Sequence, residues 1–191
     1  QVKSYFFFNE VSSEIGNVTI LFLCLCMKQE MLKFLSIAQS KRRENKQILE
    51  KISKSKSPHL DHFFREESEG FFKEFSCLDC ANCCKTTSPI FRDVDIERIA
   101  TYLKLKPGDF VAKYLYLDSD GHYVLSYSPC PFLGNDNYCS IYSVRPQACR
   151  EYPHTDRKNI KQIMDLTYQN TLVCPAVASI VEKLKTDFIK K

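Results

Sequence analysis

Apolar side chains between residues 30 and 52 recur at steps of three and four residues, with lysines and arginines between them. This period predicts an amphipathic helix that buries one face. The segment Ser55-Lys56-Ser57-Pro58 ends the pattern. A second stretch has the same steps, and its aromatic face could pack on the cysteine-rich region that follows. Its apolar residues are Leu60, Phe63, Phe64, Phe71, Phe72 and Phe75.

The apolar pattern continues in shorter pieces toward the C-terminus. Residues 93–103 read as a short helix, and Pro107 begins another that runs to Tyr114 or Tyr116. The Asp-Gly pair in residues 116–125 separates two apolar and aromatic runs and predicts a hairpin. Residues 160–189 are mostly helical in pattern, with an interruption near Cys174 and Pro175. The predicted fold class is therefore mainly α with a small β-hairpin.

Composition excludes several classes of function. A chain of 191 residues, 44% of them apolar, suits one core with an additional helical element. Its five glycines are scattered, so neither a dinucleotide-binding fingerprint nor a phosphate-binding loop can be written. The strongest apolar run, Val18 to Met27, is too short for a bilayer, which needs about 20 residues. Glu10 and Glu14 precede it where an export signal would carry positive charge, so we predict neither membrane insertion nor secretion.

The net charge of +4 is unevenly distributed. Residues 28–56 contain nine basic and three acidic residues, which gives this segment +6 and leaves −2 for the rest. We interpret the basic segment as a solvated helix face and expect no nucleic-acid partner. The sequence around Met27 suggests a natural start there. The predicted organisation is an upstream or non-native extension (1–26), a basic amphipathic helical segment (27–76) and a cysteine-cluster domain (77–191).

Cysteine is unusually abundant, with ten residues in all. Eight lie between Cys77 and Cys174, and the other two are Cys24 and Cys26. In a secreted protein such a set would form a disulfide framework, whereas in a reducing compartment it indicates metal ligation. Because no good export signal precedes the cysteines, we predict a cytoplasmic metal-binding protein whose compact domain is stabilised by the metal.

The densest cysteine segment is Cys77-Leu78-Asp79-Cys80-Ala81-Asn82-Cys83-Cys84. Its C-x2-C-x2-C spacing resembles the run that gives three thiolates to one [4Fe–4S] cluster in bacterial ferredoxins, where a remote cysteine followed by proline supplies a fourth. Cys130-Pro131 and Cys174-Pro175 both have that form. Since adjacent side chains diverge, Cys84 either serves a different centre from Cys83 or lies unligated. One cluster with a second four-sulfur site, two zinc sites, or one site with spare thiols all remain open.

A second cysteine block follows, with C-P-F-L from Cys130 and C-x-I-Y-x-x-R-P-x-x-C-R-x-Y-P from Cys139 to Pro153. Together with the first run and the last cysteine, it resembles the bacterial CxxCxxCC cysteine-cluster family (YkgJ type) of zinc- or iron-chelating or iron–sulfur proteins. The resemblance covers about Cys77 to Cys174 and implies a bound iron–sulfur cluster, of the [4Fe–4S] type, or zinc. The expected metal ligands are Cys77, Cys80, Cys83, Cys84, Cys130, Cys139, Cys149 and Cys174.

Several other residues have expected roles around the metal. Arg145 and Arg150 flank the second block, and their positive charge would stabilise thiolates and tune a redox potential. Tyr142 and Tyr152 are expected to shield the metal as core residues. His59 and His62 are more simply surface or core residues than ligands.

Three functions compete at this stage. The first is a metal-binding protein with a structural or redox-active iron–sulfur centre, and the second has structural zinc on the same ligands. The third is an enzyme, because a protein-lysine N-methylase acting on flagellin resembles this family through a similar cysteine cluster. No catalytic residue is evident, and a glycine-rich cofactor loop is missing, so catalysis is the least favoured.

Overall fold

A computed structural model of the protein describes residues 29–189. The expectations for residues 1–26, for the apolar run that ends at Met27, and for Cys24 and Cys26 lie outside the described residues.

The N-terminal part of the described chain, from residue 29, consists of three helices, α1 (29–40), α2 (Arg42–Lys54) and α3 (Leu60–Glu74). The single helix predicted for residues 30–52 is thus two helices separated by a turn at Lys41. Across this turn the buried Asn45 side chain donates to the carbonyl of Ala38 at 3.4 Å. Local side-chain bonds of this kind compete with the regular helical ladder. The helix predicted after Pro58 is confirmed as α3.

The middle of the chain contains short helices and the hairpin. The helices are α4 (Cys77–Cys80), α5 (Asn82–Thr86), α6 (Asp93–Tyr102) and α7 (Pro107–Tyr114). Strands β1 (Leu115–Leu117) and β2 (Tyr123–Leu125) pair antiparallel, with Tyr116 opposite Val124. Gly121 has φ +79° in the connecting turn, a conformation that glycine adopts without steric cost. The predicted hairpin and its Asp-Gly turn are confirmed.

The C-terminal part is helical, as predicted. Two 3₁₀ turns, Tyr142–Val144 and Ile160–Ile163, accompany α8 (Gln147–Glu151), α9 (Met164–Thr171) and α10 (Pro175–Ile189). The predicted interruption lies between α9 and α10, because Pro175 fits the first turn of a new helix but not a helix interior. The fold class is mainly α with one two-stranded hairpin. None of the helices within residues 29–189 is both long and apolar enough to cross a membrane.

Two apolar cores organise the described chain. The helical core joins α1 to α3 with α9 and α10, and Phe71 lies within it, 4.8 Å from Phe75 and 6.0 Å from Phe34 between ring centroids. The hairpin core joins α6, α7 and the hairpin, with Phe110 stacked on Phe132 at 6.2 Å. Since the helical core takes residues from both sides of position 76, the division at 76/77 stays a sequence prediction.

Ion pairs fix α10 against the N-terminal helices. The Lys185 side chain is 6% exposed and pairs with Glu182 and, at 3.2 Å, with Glu44. Lys41 pairs with Glu182 at 2.9 Å. A buried ammonium needs such partners, because burial without them is costly. These contacts matter for the site, since α10 begins directly after Cys174.

Candidate metal centre

The C-x2-C-x2-C run folds as two short helices joined at one left-handed residue. Ser76 caps α4 by accepting a hydrogen bond from the backbone N–H of Leu78 at 3.2 Å. Ala81 has φ +48° and separates α4 from α5. A left-handed residue reverses the chain direction at the end of a helix. The run therefore curves, with Cys77 and Cys80 on α4 and Cys83 and Cys84 on α5.

Cys174 reaches this run through a contact that crosses the structure. The Asn82 side chain donates to the carbonyl of Val173 at 2.8 Å, and this bond joins the turn after Ala81 to the residue before Cys174. Cys174 itself is 7% exposed and precedes the first residue of α10. The backbone N–H groups of Ala176 and Val177 bond to its sulfur. Free N–H groups at a helix start stabilise negative charge, so this position suits a thiolate.

We call Cys77, Cys80, Cys83 and Cys174 the first thiol group. All four line one cleft at the edge of the helical core. Phe71 and Phe72 form part of its apolar wall, and Tyr152 lies beside them. Cys77 is exposed while Cys174 is buried, so the cleft runs from the surface into the core. The prediction that the aromatic face of α3 can pack on the cysteine-rich region is confirmed by this cleft.

We call Cys84, Cys130, Cys139 and Cys149 the second thiol group. The backbone N–H of Cys130 donates to the carbonyl of Cys84 at 2.8 Å. Cys139 pairs with Leu133 in an isolated antiparallel β-bridge, so the segment from Cys130 to Cys139 folds back on itself. Cys130 and Cys139 pack against the hairpin core. Cys149 comes from α8, and its pKa is raised to about 12 by burial and by the nearby charges of the other three members.

The electrostatic neighbours of each thiol support the same division. Burial raises the pKa of Cys174 to about 12, and the cysteines that add to this are Cys77 and Cys80. Burial also raises the pKa of Cys130 to about 11, with further contributions from Cys84 and Cys139. Cys84 also raises the pKa of Cys77 and Cys80. It is adjacent to Cys83 in the chain and therefore lies close to both groups.

The adjacent pair Cys83 and Cys84 connects the two groups. Their sulfur atoms are 3.9 Å apart, within range of a weak hydrogen bond. That bond and burial raise the pKa of Cys83. The same bond, together with the Lys85 ammonium, lowers the pKa of Cys84 to about 7. Cys83 lines the cleft with Cys77 and Cys174, whereas the backbone carbonyl of Cys84 accepts a hydrogen bond from Cys130.

The two arginines expected near the metal differ in position. Burial raises the pKa of Cys77, Cys139 and Cys149, and the charge of Arg145 opposes this rise in all three, so it acts on both thiol groups. Its guanidinium lies 3.9 Å from the centroid of the Tyr142 ring. Arg150 instead donates to the backbone carbonyls of Arg145 and Ser143, at 3.1 and 3.0 Å. Arg150 thus holds the shape of the loop that presents Arg145.

The two tyrosines differ in position. Tyr152 lines the cleft of the first thiol group, and its role in shielding a metal stays a prediction. Tyr142 is 39% exposed and forms the surface on which Arg145 stacks, so the expectation that it is a core residue is wrong. Its 3₁₀ turn points the ring outward. His59 and His62 are both exposed, and His62 contacts Glu66 at 3.0 Å.

Sequence reasoning missed a buried carboxylate that positions the second block. Asp95 on α6 is fully buried and accepts hydrogen bonds from Arg98 at 2.6 Å and from the backbone N–H of Gln147 at 3.1 Å. Arg98 also donates to the carbonyls of Val144 and Arg145. Burial opposes ionisation of Asp95, but Arg98 and the backbone donors lower its pKa overall. The D-x-D-x-x-R segment of α6 offered a signal, since Asp95 and Arg98 are one helical turn apart.

In the described part of the chain, no three cysteine sulfurs lie within 4.8 Å of one another. The triad of possible ligands that does meet this distance is Asp118, Asp120 and His122 in the hairpin turn, where Asp118 already accepts two backbone N–H groups.

Both thiol groups have the chemistry of a metal-thiolate site. Most of these thiols have a raised pKa because they are buried, so a cation is needed to hold several of them as thiolates together. Backbone N–H groups nevertheless bond to the sulfurs, from Phe132 and Leu133 to Cys130 and from Ile141 to Cys139. Such donors favour the ionised sulfur. The residues therefore fit a metal centre.

The fold and these thiol groups together define a helical, cysteine-rich class of metal-chelating domain. The model of the CxxCxxCC family, described as "Putative zinc- or iron-chelating domain", matches residues 76–174, just over half of the chain. The chain belongs to this family. No curated protein and no solved structure matches the chain.

Proposed function

We propose that the protein holds an iron–sulfur cluster on the first thiol group and a further metal on the second. The observation that carries the proposal is the meeting of Cys174 with Cys77, Cys80 and Cys83 in one cleft. Cys174 is followed by Pro175. Three thiolates at three-residue steps and a remote Cys-Pro make up the ligand set typical of a [4Fe–4S] cluster.

The ligand spacing of the first group favours a cluster over a single ion, because three thiolates at three-residue steps are the run that holds a [4Fe–4S] cluster in bacterial ferredoxins. The apolar cleft wall of Phe71 and Phe72 would also limit access of water and oxidants.

The second thiol group completes the proposal. Cys84, Cys130, Cys139 and Cys149 supply four further thiolates, and the backbone N–H groups that bond to Cys130 and Cys139 suit an anionic sulfur. An iron–sulfur cluster supplies one-electron chemistry, and a structural zinc ion supplies folding free energy. The proposal includes a reducing, cytoplasmic location, because all eight described cysteines are free thiols and ligation needs them reduced.

Anaerobic purification tests this function. We expect brown protein with broad visible absorption that fades in air, and about four iron and four sulfide per chain for the first group alone. Metal analysis would report the second centre as additional iron with sulfide, or as zinc. Colourless protein with stoichiometric zinc and neither iron nor sulfide would instead establish structural zinc on the same cysteines.

A further inference from the structure

The hydroxyl of Tyr152 is buried without a hydrogen-bond partner. Among the described residues, the only other buried side-chain atom in this condition is Asn45 Oδ1. A buried hydroxyl that lacks a partner loses its hydrogen bonds with water and gains nothing in return. Such groups are rare in folded proteins and usually mark a binding function or an absent ligand.

The unpaired hydroxyl lies among the first thiol group. Tyr152 lines the same cleft as Cys77, Cys80, Cys83 and Cys174. The phenol hydroxyl has one hydrogen to donate, and the four cysteine sulfurs share its cleft as acceptors.

The backbone fixes where this phenol lies. Tyr152 follows directly after α8, and its backbone N–H donates to the carbonyl of Ala148 at 3.1 Å. The next residue, Pro153, accepts a buried hydrogen bond from Asn170 of α9 at 3.2 Å. The same turn of chain thus carries Cys149 toward the second thiol group and Tyr152 toward the first.

We infer that the Tyr152 hydroxyl donates a hydrogen bond to a sulfur of the metal centre held by the first thiol group. The inference rests on the proposed function, because the acceptor sulfur becomes anionic when the metal binds. Tyr152 is a positioning residue: it lowers the charge density on the sulfur, stabilises the more negative reduced state and so raises the reduction potential. Removal of an outer-shell hydrogen bond of this kind typically weakens metal binding by about 10- to 100-fold.

The substitution Tyr152→Phe tests the inference, because it keeps the ring and removes only the unpaired oxygen. Tyr168→Phe is the matched control, since Tyr168 packs against the same helical core but does not line the cleft. Each full-length protein is reconstituted anaerobically with iron and sulfide. Metal retention against a chelator, reduction potential and resonance Raman spectra in H₂O and D₂O are then measured.

We expect Tyr152→Phe to hold iron at least about tenfold more weakly, to have a lower potential and to lose a deuterium-sensitive iron–sulfur stretch. Tyr168→Phe should match the unchanged protein in all three. If Tyr152→Phe matches the unchanged protein in metal retention, reduction potential and deuterium shift, the hydrogen bond is refuted while the proposed cluster stands.

If the unchanged protein binds zinc alone, the cluster proposal fails and chelator competition on zinc-loaded variants decides the role of Tyr152. If it binds neither metal, both proposals fall.

Discussion

The two thiol groups reach the same number of sulfurs by opposite routes. The first takes three members from one short run, Cys77 to Cys83, and its fourth from the start of α10. The second takes one member from that run and three from the loops and the short helix between Cys130 and Cys149. The first is attached to the helical core and the second to the hairpin core.

This difference shows what each group depends on. Closure of the first group depends on helix packing, because Cys174 moves with α10 and is joined to the run through Asn82. The shape of the second depends on side chains that bind loop carbonyls, chiefly Arg98 and Arg150. Loops of this kind have no regular ladder of hydrogen bonds, so individual polar side chains fix them.

Substitution of one cysteine in each group should have the largest effect on metal content and stability. We expect Cys174→Ser to lose the metal of the first group and destabilise the helical core, and Cys149→Ser to lose only the metal of the second. Metal binding can contribute folding free energy on the order of 10 kcal/mol in small zinc domains. Metal content and thermal unfolding of both variants measure this. Loss of both metals from either variant would mean that the groups form one centre.

The adjacent cysteines offer a finer test of the same division. We expect Cys83→Ser to resemble Cys174→Ser in metal content, and Cys84→Ser to resemble Cys149→Ser, although the two residues are neighbours. The physical reason is that Cys83 lines the cleft with Cys174, whereas the carbonyl of Cys84 accepts a hydrogen bond from the backbone of Cys130. Iron, zinc and sulfide analysis of the two variants is sufficient. Identical metal loss in both would contradict the assignment of the pair to different centres.

A change at Asp95 should have a milder effect, mainly on the loop of the second group. Asp95→Asn weakens the bonds to Arg98 and Gln147, which costs about 2 kcal/mol for charged hydrogen bonds of this kind. Because the folded pKa of Asp95 is lowered, its stabilisation is present at neutral pH and is lost as the pH falls below about 4. Urea unfolding at several pH values measures both. An equal deficit for Asp95→Asn at pH 7 and at pH 3 would argue against an ionised Asp95.

Substitution of Arg145 or Arg150 should have the smallest effect on stability but a measurable effect on metal retention. Arg145→Met removes a positive charge that acts on both thiol groups, so we expect metal retention to weaken by about tenfold in each. Arg150→Met is the comparison variant: because Arg150 binds backbone carbonyls in the loop of the second group, we expect its loss to weaken metal retention in that group alone. Chelator competition compares the two variants. If Arg150→Met released metal from both groups as readily as Arg145→Met, loop shape rather than charge would be the cause.

The sequence by itself determined the elements and the chemistry. Apolar residues at three- and four-residue steps predicted α3, α6, α7 and the last helices, and the Asp-Gly pair predicted the hairpin. The cysteine spacing pointed to the metal-chelating family that the match to residues 76–174 confirms. These signals are local: a helix face, a turn or a chelating run is encoded within a few consecutive residues.

Only the tertiary structure decided which cysteines meet. Cys130 and Cys174 are both followed by proline, and the sequence favours Cys174 as the residue that joins Cys77, Cys80 and Cys83 through the helical pattern after Pro175. The bond from Asn82 to Val173 and the packing of α10 bring Cys174 to that group, whereas the bond between Cys130 and Cys84 takes Cys130 to the other. The contacts of Asp95 and the unpaired Tyr152 hydroxyl also became apparent only in the tertiary structure. Such partners are distant in the chain, and they are chosen by packing of whole elements, which local periodicity does not encode.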